Sequence, residues 1–235
     1  MDIELYYQQK GCGQPLILLH GNGENSDCFQ AQIEEFSKYF HVYAIDTRGH
    51  GKTLRGTKPF TIRQFAKDLA NFMDLHHIPQ AHLLGFSDGG NIAIIFALQY
   101  PERVLKLVLN GANLDPKGMK RSVLWPIEIE YAFYKRFAKR NESAKLKAEM
   151  LGLMINDPYI PVAELSKIQH ETLVIAGTND MIQKQHTQCI ANHIAHAQLA
   201  ILSGDHFIAY KQPEAFNQRV LAFLFDDQSR MNQEA

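Results

Sequence analysis

Leu83-Leu84-Gly85-Phe86-Ser87-Asp88-Gly89-Gly90-Asn91 has the form of a buried strand that ends in G-x-S-x-G and turns directly into a helix. A serine on so tight a turn takes a strained backbone conformation, and the residues two before and two after it must be small for the turn to close. Gly85 and Gly89 meet that demand, which makes Ser87 a candidate nucleophile. The helix that follows, expected over Asn91 to about Gln99, aims its N-terminal amides at the serine, where acyl transfer develops negative charge. The motif fixes only three residues of five, and an ordinary glycine-rich turn has the same letters. What flanks it decides between the two.

Outward from this turn, Leu16–Leu19, His41–Ile45, Ala81–Gly85, Val104–Leu109, Thr172–Ala176 and Gln198–Leu202 are short apolar runs, several without alternation, as expected of strands buried on both faces of a parallel sheet. A weaker edge strand or hairpin is expected over Ile3–Gln9. Between the runs lie helical periods: Phe29, Ile33, Phe36 and Phe40 behind a cap at Ser26 or Asp27; Ile62, Phe65, Leu69 and Phe72 behind a cap at Thr61; then Lys184–Ala195 and Pro213–Phe225. The alternation predicts an α/β fold, a doubly wound and mostly parallel sheet. It is interrupted once. From about Asn113 to Pro161 no strand pattern appears; Ile127, Tyr131, Tyr134 and Ala138 suggest one helix and Ala144–Met154 another. Residues 1–112 and 163–235 are therefore expected to form the core, and 113–162 a helical insertion acting as a lid. Its basic side chains, Lys135, Arg136, Lys139, Arg140, Lys145 and Lys147, suit a solvated helix face.

Composition narrows the function classes. The chain is 46% hydrophobic and 21% charged, as a globular protein is, except in its polar last ten residues. Twenty-four basic against 25 acidic side chains leave a net charge of −1, so no overall field favours nucleic acid or an anionic membrane, and a small molecule is the expected partner. Cys12, Cys28 and Cys189 are widely spaced and lack a C-x-x-C pair, which argues for free thiols rather than disulfides or a thiolate metal site. His76-His77 and His193/His196 lack the acidic or cysteine companions of a metal site. No basic-then-apolar leader and no membrane-length apolar run is present, so a cytoplasmic location is expected. Oligomeric state is not legible.

A serine hydroxyl needs a base within hydrogen-bond reach, and that base needs a carboxylate to hold its tautomer. Ser87, Asp180 and His206 each fall just past the C-terminal end of an expected parallel strand, on the rim where ligands bind in such sheets. Asp115, soon after the Val104–Leu109 strand, is a rival acid. Asp205 adjoins His206 and is expected to point away from it. Two nucleotide motifs fail in detail. Gly51-Lys52-Thr53 lacks the leading glycine of a P-loop, since Asp46 stands there, and Gly21-x-Gly23 has Ser26 in place of the third glycine of a dinucleotide fingerprint.

With His20-Gly21, Asp46-x-Arg48-Gly49-His50-Gly51, Gly85-Phe86-Ser87-Asp88-Gly89, Gly177-Thr178-Asn179-Asp180 and Gly204-Asp205-His206-Phe207 in this order, the chain resembles the α/β-hydrolase superfamily over nearly its whole length. The resemblance is to its cofactor-free members with a small helical cap, and it implies that no cofactor or metal is needed. It implies Ser87 as nucleophile, His206 as base and Asp180 as the acid that orients it. The backbone N–H groups of Asn22 and Asp88 would form the oxyanion hole, and His20 and His50 would be structural. A carboxylic ester is the implied substrate. Thioester or peptide chemistry uses the same groups, and a ligand-binding or signalling protein on this fold is the alternative of a different class. Leu124, Trp125, Tyr131, Phe133 and Met150 are candidates either for an apolar acyl pocket or for the insertion's own packing.

Overall fold

A computed structural model describes residues 2–226; the polar stretch 226–235 lies outside them apart from Asp226. Seven strands form one sheet: β1 (Tyr7–Lys10), β2 (Pro15–Leu19), β3 (His41–Ile45), β4 (Ala81–Phe86), β5 (Val104–Asn110), β6 (Thr172–Gly177) and β7 (Ala197–Leu202). Their spatial order is β1-β3-β2-β4-β5-β6-β7, with β1 antiparallel to β3 and every other pair parallel. Among the described residues eight α-helices connect or flank them: α1 (Gln30–Phe36), α2 (Ile62–Leu75), α3 (Asp88–Gln99), α4 (Arg121–Phe137), α5 (Glu142–Asn156), α6 (Lys184–His193), α7 (Ile208–Lys211) and α8 (Pro213–Phe225).

The unbroken apolar runs have a simple cause: alternate residues feed two cores. Ile17, Leu19, Leu83, Leu107, Leu109 and Val174 point to the side of the sheet packed by Phe65, Leu69 and Phe72 of α2, Ile92 of α3 and Ile190 of α6. Leu16, Leu18, Leu84, Val108, Leu173 and Ile175 point to the other side, against Ile33 and Phe36 of α1 and Phe216, Val220 and Phe223 of α8. The chain leaves β2 toward β3 on one side, and β4 comes back to lie on the other. The loops after β2 and β4 therefore face each other at a switch point, where this class of sheet opens a crevice at its carboxyl ends.

Several local expectations change. The first strand is only Tyr7–Lys10, although Ile3 and Leu5 ahead of it are buried. Asn25, rather than Ser26 or Asp27, caps the turn into α1, its side chain accepting from the Asp27 N–H. Ser26 is buried, with its own N–H donated to Asp46 Oδ1 at 2.7 Å. Phe40 lies beyond α1, buried beside β3. Helix α3 starts at Asp88, three residues earlier than expected, so the helix begins immediately after the serine. Thr61 caps α2 as read, accepting from the Gln64 N–H at 3.1 Å.

Between β5 and β6 the chain forms α4 and α5, which pack on each other; Tyr131 Oη accepts from Asn156 Nδ2 at 3.1 Å. Polar bonds tie this insertion to the loops of the sheet and close its own base. Asn22 Nδ2 donates to the Met150 carbonyl at 2.8 Å, Arg55 grips Glu149 with two bonds of 2.6 and 2.8 Å, the Ile62 N–H donates to Asp157 Oδ2 at 2.7 Å, and the Ile160 N–H donates to the Leu114 carbonyl at 2.7 Å.

Candidate active site

Ser87 sits in the left-handed half of backbone space, at φ 54° and ψ −118°. For a residue other than glycine this costs about 1–3 kcal/mol, and it persists only where the surroundings dictate it. Here they do. The Ser87 N–H donates to the Asn110 carbonyl at 2.8 Å, while its carbonyl accepts from the N–H groups of Gly90 and Asn91 at 2.8 and 3.1 Å. A Cβ on Gly85 would lie 2.2 Å from the Gly89 oxygen, and one on Gly89 would lie 2.0 Å from the Leu19 oxygen. Both positions are closed to any larger residue.

His206, in the loop between β7 and α7, is 3% exposed, and its Nδ1 lies 2.7 Å from Asp180 Oδ1. Asp180, 4% exposed after β6, accepts from the Ile182 N–H at 2.8 Å and from the Gly177 N–H through a longer contact of 3.4 Å. A carboxylate oxygen can only accept, so Nδ1 carries the hydrogen, and in the neutral ring Nε2 is the nitrogen left with a lone pair. The ring packs on Phe86, the residue before the serine, with centroids 4.8 Å apart. Gly111 backs it from the other side. At φ 63° that residue favours glycine, and a Cβ there would come within 2.6 Å of His206 Cε1. No hydrogen bond joins Ser87 Oγ to the ring, a common state of such pairs before substrate binds.

At the start of α3 the Asp88 N–H has no acceptor among the described residues, and the same holds for the Asn22 N–H in the loop after β2. The two loops are tied together, because Asn22 Nδ2 donates to Asp88 Oδ2 at 2.9 Å.

A sequence model of the family described as alpha/beta hydrolase fold matches residues 14–139. The protein belongs to the α/β-hydrolase fold family. It is similar to 3-oxoadipate enol-lactonase 2 of Acinetobacter baylyi, at 27% identity over 95% of this chain and 94% of that one. It is also similar to human serine hydrolase BPHL, at 28% identity over 94% and 83%. Among solved structures, a meta-cleavage product hydrolase from Pseudomonas fluorescens matches with a TM-score of 0.76 and 26% identity over 94% of each chain. Matched to hydrolases along nearly its full length, this α/β-hydrolase is a hydrolytic enzyme.

Other side chains of the α/β-hydrolase now find their places. Asp115 caps the turn Pro116–Gly118 by accepting from the Lys117 N–H and makes no bond to His206. Asp205 turns outward to pair with Lys211 and accepts from the Phe207 N–H at 2.9 Å. His20 is buried, Nδ1 donating to the Gly21 carbonyl at 2.7 Å and Nε2 accepting from the Thr47 N–H at 3.0 Å; burial pushes it down to about 3, so the ring is a neutral brace. His50 is likewise held down by burial and lies 3.0 Å from the Arg48 carbonyl. Asp46 spends both oxygens on the backbone, accepting from Ser26 and Lys52, which removes it from any role toward a ribose.

Three features escaped the sequence. The Asp88 side chain is 7% exposed, and burial, with Asp157 nearby, pushes its carboxyl up to about 6 against the bonds from Asn22 and Asn91. Glu24, held above the usual carboxylate range by burial, accepts from Tyr210 Oη at 2.8 Å and from the Gly21 N–H at 3.1 Å, fixing the loop that carries Asn22. An acid two residues past Asn22 was its only signal. Trp125 and Phe133 belong neither to a buried acyl pocket nor to the insertion's own packing; they are 60% and 59% exposed on the outer face of α4.

Proposed function

We propose that this α/β-hydrolase is a serine hydrolase of small carboxylic esters that works through an acyl-enzyme. The observation that carries the reading is the 2.7 Å Asp180–His206 bond, beside a serine whose backbone is forced out of the ordinary regions. Ser87 Oγ attacks the ester carbonyl carbon as His206 Nε2 takes its proton. The tetrahedral oxyanion is received by the N–H groups of Asn22 and Asp88. His206 then gives the proton to the departing alkoxide, and the C–O bond breaks. Water, deprotonated by the same nitrogen, attacks the acyl carbon and releases the acid and free Ser87. Asp180 holds the imidazole and offsets its positive charge. Losing one oxyanion donor in such a site costs about 3 kcal/mol in the barrier, so Glu24 and Tyr210 matter through the loop they hold.

Residues 113–162 act as the cap over this site and select among substrates, which the ties of Asn22 to Met150 and of Arg55 to Glu149 support. An ester reading also agrees with the lactonase relative, whose name denotes a cyclic ester.

Turnover of p-nitrophenyl esters of graded acyl length, with Ser87→Ala as control, tests the proposal. Wild type should exceed the variant by about 10⁴-fold or more on at least one chain length, and a fluorophosphonate should label wild type alone. Equal rates for the two proteins across the series would overturn it.

A further inference from the structure

Helix α4 is apolar on two opposite faces. Its inner face, with Leu124 buried and Ile127, Tyr131, Tyr134 and Ala138 half-buried, packs toward α5. Its outer face carries Trp125, Ile129, Phe133 and Phe137 at four-residue intervals, 60, 55, 59 and 44% exposed. A lone exposed leucine needs no explanation, but four large apolar side chains in an unbroken line about 18 Å long mark an interaction surface.

Charge at the ends of this line says what meets it. Arg121 continues the line at its start, and Arg136, Lys139 and Arg140 flank its end, all exposed; Lys120 and Lys135 turn away from it, Lys120 toward the cavity beside Asp180 and Lys135 over the inner-face Tyr131 ring. None of the four flanking cations has a carboxylate partner among the described residues, whereas Lys145 and Lys147 are paired with Glu142 and Glu130. The helix dipole accounts for cations at the C-terminus but opposes those at the N-terminus. A second copy seated on the same stripe, parallel or antiparallel, would set a basic end against a basic end. The surface is also a convex ridge, while a bound peptide needs a groove. An apolar aromatic ridge with a cation at its start and a cationic cluster at its end fits the headgroup–acyl boundary of an anionic bilayer.

We infer that the outer face of α4 docks the protein on anionic lipid surfaces, with Trp125, Ile129, Phe133 and Phe137 in the interface and the flanking cations on the headgroup phosphates. The net charge of −1 does not oppose this, because at physiological salt charges act over only about 8 Å. The inference goes beyond the proposed ester chemistry and does not depend on it.

The chain holds one tryptophan, Trp125 itself, so its emission reports on this surface alone. Titration with vesicles of phosphatidylglycerol in phosphatidylcholine should shift the emission to the blue, with quenching by brominated acyl chains and weakening by salt. Pure phosphatidylcholine should act far more weakly. Arg136→Glu/Lys139→Glu/Arg140→Glu should lower the partition coefficient about tenfold or more, and Phe133→Ser/Phe137→Ser should lower it about as much with Trp125 still reporting. Each variant should keep its circular dichroism, melting temperature and ester turnover in lipid-free buffer. Ser87→Ala should dock like wild type, so a failure of docking and a failure of catalysis are read separately. The inference is overturned by emission that ignores anionic vesicles. It is equally overturned by a lipid-independent blue shift that grows with protein concentration alongside a doubled sedimentation mass, which would assign the ridge to a second copy, or by a response to an acidic protein partner only.

Discussion

The rim of the sheet and the helical insertion are built by different rules. On the rim, each candidate site residue is held by close neighbours: Ser87 by the Asn110 carbonyl of the adjacent strand, Asp180 by the Ile182 N–H in its own loop, and the His206 ring between Phe86 and Gly111. In the insertion, two helices lean on each other, and a few side chains such as Asn22 and Arg55 tie them to the loops below. On the proposed function, geometry that fixes a reaction is thus stored where the chain has least freedom, and geometry that chooses a substrate where it has more.

Substitutions sharpen or break that contrast. The largest effect belongs to Asp180→Asn, which should lower kcat by about 10⁴-fold by losing the tautomer that leaves Nε2 free. Asp115→Asn should leave rates within about twofold, because asparagine caps the turn equally well. A drop at Asp115 instead would move the acid out of the β6 loop. Gly111→Ala comes next: its Cβ meets the His206 ring at 2.6 Å, and displacing a base by part of an ångström should cost about 10²-fold in kcat with KM little changed.

Asp88 lies where the two regions meet, and its prediction is one of pH. Its carboxyl is raised from 3.8 to about 6, so the folded state holds a proton that the unfolded state releases. Its contribution to stability is fully present below about pH 4 and is lost as pH rises through about 6. Asp88→Asn should therefore raise stability by about 2 kcal/mol at pH 7.5, with the gain shrinking to nothing near pH 4 in urea melts. A gain independent of pH would mean that packing, not charge, was relieved. The smallest effect is that of Arg55→Met, which releases Glu149 from a partly buried two-bond pair worth about 1 kcal/mol. KM should rise severalfold while kcat stays within about twofold.

Legibility in the sequence follows the same division. Strands buried on both faces leave runs such as Leu16–Leu19 that have one reading, and the serine turn announces itself through its glycines. The four-residue α7 is too short to leave a period. The surroundings of the Asp88 side chain were not legible because they include Asn22 and Asp157, both more than sixty residues away in the chain. Glu24 and Tyr210 are 186 positions apart, with no local pattern to connect them. Trp125 and Phe133 escaped for another reason: periodicity assigns apolar helix positions to the interior, and α4 has apolar positions on both sides.

The close approach of Gly89 to the Leu19 carbonyl, 2.0 Å from where a Cβ would stand, has a consequence for the order of events during biosynthesis. The serine's conformation is enforced by β2, β5 and the start of α3 together, segments that meet only once the middle of the sheet has closed. A nascent or partly unfolded chain holds an ordinary, relaxed serine among the acyl donors of its surroundings. On the proposed mechanism, reactivity is therefore switched on by assembly itself, and a chain that fails to fold is also one that stays chemically silent.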